Sequence, residues 1–175
     1  MRPMSLRVEA IKGNIHKDED LRKLHEELLR LGGVEKVAIS RRDATKNRQR
    51  VTSDRGREVI IDIPRGIRIG NGDVLIRELG SLLVVELVPE ETVVLTVENA
   101  NDWKKQVERT ARLGYLLGLK HFHPFIADNE IIVPVEEKSR EEMPKVFGTF
   151  EGVSVRFEKR VLEESGEDPP FEHGT

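Results

Sequence analysis

The strongest constraint on the fold is a change of texture along the chain. From Val34 to about Leu87, short β-branched segments follow one another: VEKVAIS, RQRVTS, REVIIDI, DVLIREL and SLLVVELV. Asp54-Arg-Gly56, Pro64-Arg-Gly66, Gly70-Asn-Gly-Asp73 and Gly80 separate them. Gly, Pro, Asn and Asp reverse the backbone, so the stretch reads as strand, turn, strand. A compact antiparallel β domain is expected, opened by an alternating strand over residues 5–11 (SLRVEAI).

Between that strand and the β stretch lies HKDEDLRKLHEELLRLGG. Leu21, Leu24, Leu28 and Leu31 recur at helical spacing and share one face. Asp18 to Asp20 suit the positive end of the helix dipole, and Gly32-Gly33 suit its stop. This helix is expected as an insertion in the first domain.

Pro89-Glu-Glu marks a boundary. A strand (ETVVLTVE) follows, then a helix (NDWKKQVERTARLGYLLG) with Trp103, Val107, Ala111, Gly114 and Leu117 on one face. Asn99 or Asn101 is expected to cap it, and Gly118 to end it. HFHPFIA and EIIVPVE read as strands, SREEMPKVF as a short helix limited by Pro144, and EGVSVRFEKRV as a last strand. The order β-α-β-β-α-β is the ferredoxin-like arrangement. The expected fold class is therefore α+β. An antiparallel β domain with an inserted helix occupies 1–88, a ferredoxin-like domain 89–160, and a polar tail 161–175. The tail's ESGEDPPFEHGT is expected to be mobile.

Composition narrows the function classes. The 175 residues are 35% charged, with a net charge of -3, which does not suit a chain built to grip nucleic acid or an anionic membrane. High charge and few glutamines also suit a thermophile. MRPMSLRVEA lacks the apolar run of a secretory leader, so the cytoplasm is expected. With no cysteine, there is neither a disulfide framework nor a thiolate ligand. A transition-metal site must use His, carboxylates or backbone groups.

The five histidines are His16, His25, His121, His123 and His173. His16 precedes the first helix and reads as a solvent or cap-adjacent residue. His25 lies mid-helix beside Glu26 and Glu27 and reads as an ordinary side chain. Leu119-Lys-His-Phe-His-Pro124 differs, because it follows a helix stop. Imidazole binds Ni, Cu and Zn when neutral. Two histidines from one chain are too few for a closed site. Across a two-fold axis, however, one histidine per chain becomes a facing pair. A shared, half-exposed site of that kind suits a carrier that must release its ion. Packing or surface placement is the plain alternative for a His-x-His pair. His173, in FEHGT, is either an extra ligand or a stray terminal residue.

Arg41 to Arg50 (RRDATKNRQR) is a basic run. It suits phosphate or an acidic partner, and supports the alternative of a protein- or RNA-binding module. Its other reading is a charged strand edge. No aromatic residues interleave with it, which argues against single-strand stacking. No Ser/His/Asp or paired-carboxylate arrangement calls for catalysis, so an enzyme is not expected.

Read as one unit, RQRVTSDRGREVIIDIPRGIRIGNGDVL resembles the N-terminal domain of the UreE family. The resemblance rests on Arg48 and Arg50; Thr52, Asp54 and Gly56; Pro64, Arg65 and Gly66; and Gly72, Asp73, Val74 and Leu75. The family's Leu-Gly-Asn-Arg-His element resembles Leu117-Gly118-Leu119-Lys120-His121, with Leu119 and Lys120 as departures. The resemblance implies that His121 meets its symmetry mate in a homodimer and binds Ni(II). C-terminal histidines would assist, here His173, with His123 an addition to the element. It also implies urease apoenzyme and an accessory GTPase as partners. Zn(II) or Cu(II) suits the same donors.

Overall fold

The computed structural model describes residues 5–127, 129–136 and 139–163. It divides into two compact units. The first is Met1–Val88 with Val161–Glu163, and the second is built on Pro89–Arg160.

In the first unit, β1 (Leu6–Val8), β3 (Arg48–Thr52) and β4 (Glu58–Asp62) form one sheet in the order β1-β4-β3. A second sheet holds β2 (Val34–Ile39), β5 (Val74–Glu78) and β6 (Ser81–Leu87) in the order β2-β6-β5. The expectation of an antiparallel domain is corrected here. β1 pairs with β4, and β2 with β6, in parallel. Hairpins hold only neighbours in sequence, and both parallel pairs join strands that other elements separate.

Val8, Val59 and Ile61 of one sheet pack with Val37, Ile39, Leu75, Leu83 and Val85 of the other in one buried core. The opposite side of β6 presents Leu82 and Val84 to helix α1 (Glu19–Arg30), where Leu21 and Leu28 are buried. β6 is thus covered on both faces, which explains its unbroken apolar run. Asp18 caps α1, its carboxylate accepting the N–H groups of Asp20 and Leu21. Leu31, expected on the same helical face as Leu21 and Leu28, is the C-cap and is exposed. The chain returns to this unit after Arg160. Leu162 is buried, and the Glu163 carboxylate accepts the Asn71 N–H. Residues 161–163 therefore belong to the first unit rather than to a tail, and 164–175 lie outside the described residues.

The second unit runs β7 (Glu90–Val97), α2 (Trp103–Leu119), β8 (Phe125–Ala127), β9 (Glu130–Pro134), α3 (Met143–Phe147), β10 (Val153–Arg160). Its sheet has the order β10-β7-β9-β8 with every neighbouring pair antiparallel. Val93, Leu95 and Val133 form one side of the core, and Leu113, Leu117, Met143 and Phe147 the other. Three local expectations are corrected. Asp102, not an asparagine, caps α2 by accepting the Lys104 N–H. Gly118 lies within the helix rather than ending it. The strand expected over HFHPFIA is shorter and begins after Pro124, which has no N–H to give a ladder.

Among the described residues no helix is long and apolar enough to cross a membrane.

Candidate metal site

α2 ends in a hydrogen-bonded turn. The His121 N–H donates to the Gly118 carbonyl and the Phe122 N–H to the Leu117 carbonyl, each at 3.0 Å. This paired closure requires a left-handed residue after the cap, normally glycine. Here that residue is His121, with φ 56°. Among the described residues the only other non-glycine with positive φ is Asn129. α1 supplies an internal comparison. It closes in the same way, with Gly32 donating to Leu29 and Gly33 to Leu28, and Gly32 has φ 72°. One chain thus ends two helices alike, with glycine at the first and histidine at the second. A side chain in this conformation costs about 1 kcal/mol.

The segment is pinned from one side only. Phe122 turns inward, its ring centroid 5.9 Å from that of the fully buried Phe147. His121 turns outward and is exposed, as is His123. Because His121 sits in a turn, strand alternation does not set its direction relative to His123. The last turn of α2 carries no basic residue, and Lys120 stands at the C-cap, by the negative end of the helix dipole.

The face of α2 that carries Trp103, Val107, Ala111, Gly114 and Leu117 is not buried as a whole. Leu113 and Leu117 are buried, whereas Trp103 and Val107 are 71% and 58% exposed, and Ala111 and Gly114 are exposed too. The helical period sets the inward stripe at Gln106, Leu113, Leu116 and Leu117. Trp103, Val107, Ala111, Tyr115 and Leu119 form an apolar outward stripe that leads to the turn bearing His121.

Other donors do not gather here. Among the described residues no group of three or more His, Asp or Glu side chains is arranged to hold a metal. His173 lies outside the described residues. His16 is exposed, with a ring nitrogen 3.5 Å from the Asn71 amide. In α1, burial first, then Lys36 and His16, lowers the His25 pKa below 6.5.

The basic run divides between a short 3₁₀ turn, Asp43–Thr45, and β3. Arg48 Nε donates to Asp62 at 2.7 Å, and Arg50 lies 3.4 Å from Glu58. A neighbouring groove of about 450 Å³ is lined by Arg48 and Arg65 but also by Glu9 and Asp62. Acids interleave with the bases, so this surface has no single sign to offer a phosphate backbone.

Phe122 was not singled out from sequence. A signal existed: an apolar residue five positions after Leu117 at a helix end is the hydrophobic pair that accompanies this closure.

The architecture defines a two-unit α+β protein with an outward imidazole at a helix terminus. Residues 8–88 match the family model described as UreE urease accessory protein, N-terminal domain. The chain is similar to the urease accessory protein UreE of Bacillus cereus, 24% identical over 168 residues, 96% of each chain. It is similar to the UreE of Staphylococcus carnosus, 25% identical over 127 residues, 72% of this chain and 75% of that one. With the UreE of Actinomyces naeslundii it shares 37% identity over 91 residues, half of this chain, and it spans about half the length of that relative (51%). Over residues 8–88 the first unit is thus similar to that N-terminal domain, and the relatives named here are urease accessory proteins UreE.

Proposed function

We propose that this protein carries Ni(II) to a nickel enzyme, urease foremost, through a site completed by His121 from each of two copies. The names of its relatives, urease accessory protein UreE, support the pathway. One observation carries the site: an exposed imidazole occupies a left-handed helix closure that α1 fills with glycine. A position with a conformational cost marks a role that stability does not explain.

The rest follows from coordination chemistry. The described residues of a single chain offer too few clustered donors for a closed site. Two imidazoles meeting across a symmetry axis hold the ion as cargo and leave positions open for transfer. His123 and His173 are secondary donors. The apolar stripe of α2 is the surface through which two copies associate, a reading supported by its continuity with the His121 turn. The sheet order β10-β7-β9-β8 supports a ferredoxin-like second domain, residues 89–160, for metal binding and dimerisation. The first domain, residues 1–88, docks a partner. Ligand exchange passes the ion to urease apoenzyme or an accessory GTPase in the cytoplasm. Zn(II) and Cu(II) compete for the same nitrogens, and Cu(II) binds such donors more strongly.

Nickel calorimetry on the wild type and on His121→Ala tests this reading. Binding that weakens by about 10-fold or more in the variant is expected, and an unchanged stoichiometry and affinity excludes the site.

A further inference from the structure

We infer that Phe122 is the positioning residue of the His121 site, acting without touching the ion. The inference rests on the reading of His121 as a ligand. Phe122 follows His121 directly, and the two point to opposite sides of the turn. Its ring packs 5.9 Å from Phe147, itself 0% exposed, in the cluster that contains Leu113 and Leu117. Its N–H closes the helix on Leu117. The left-handed backbone at His121 is unfavourable alone and persists because neighbours fix it on both sides. On one side is a 17-residue helix; on the other the fixed point is the Phe122 ring. Without that anchor the His121 backbone relaxes to an extended conformation and the imidazole leaves its outward direction. Two copies meeting across an axis are doubly sensitive, since each must aim.

Phe122→Ala and Phe122→Leu, with His121→Ala as a control, are titrated with Ni(II) by calorimetry. Amide hydrogen exchange is followed across the second unit. Phe122→Ala is expected to weaken nickel binding about 10-fold. It should also speed exchange at residues 121 and 122 while α2 and the sheet keep their protection. Phe122→Leu, which refills most of the space, is expected to restore both. Wild-type affinity in Phe122→Ala, alongside lost binding in His121→Ala, overturns the positioning role alone. Faster exchange throughout the unit, with no recovery in Phe122→Leu, also overturns it, because Phe122 is then only part of the core. Unchanged binding in His121→Ala overturns the ligand reading and this inference with it.

Discussion

His121 and Gly32 hold equivalent positions in two helix closures, and their difference is measurable as stability. Replacing His121 by glycine removes the left-handed penalty, so His121→Gly should raise unfolding stability by about 0.5–1 kcal/mol in chemical denaturation while nickel binding falls. Few substitutions of a purely structural residue raise stability and remove function together. Glu35 carries a different kind of cost. It is 2% exposed, and the Arg57 guanidinium grips both its oxygens, with Nε to Oε1 at 2.9 Å. That bond holds its carboxyl below the ordinary 4.5, against the upward push of burial and with help from Ser53. Its folded pKa lies below the unfolded one. The stability it contributes is therefore present above about pH 4.5 and is lost as pH falls through the lower folded value. Arg57→Ala strands the buried carboxylate. It should cost about 2 kcal/mol at neutral pH, less than for a fully enclosed pair because Arg57 is 45% exposed. In that variant the loss on acidification should flatten, as read from unfolding midpoints between pH 3 and 7.

At the scale of elements, α2 separates two kinds of apolar residue. Leu113 is fully buried, so Leu113→Ala should cost about 3 kcal/mol in thermal or chemical unfolding. Val107 lies on the outward stripe, so Val107→Glu should leave the fold intact and shift the protein to a monomer in sedimentation. A monomer that still binds nickel with wild-type affinity would argue against a shared site. This division was only half legible in the sequence. Trp103, Val107, Ala111 and Gly114 do recur at helical spacing, but apolar periodicity cannot tell a core stripe from an association stripe on the same helix. α1 was legible because its polar face leaves one choice, and Asp18 and Gly32 punctuate it. The strands were legible from β-branched runs and turns. Their pairing was not: nothing local in SLLVVELV indicates that β6 lies parallel to β2. Nor does a His-x-His spacing reveal that one histidine sits in a left-handed turn, since that conformation is imposed by the helix before it and Phe122 after it.

At the scale of the molecule, each unit has its own core. The first, two mixed sheets and a helix, matches the UreE N-terminal domain over residues 8–88. The second places an imidazole at the end of a helix that carries an exposed apolar stripe. The central claim is that two copies share one ion, and native mass spectrometry with and without Ni(II) tests it most directly. A dimer that takes up one nickel per two chains is expected, with that uptake missing in His121→Ala. One nickel on each monomer, or the same uptake by His121→Ala, would contradict it.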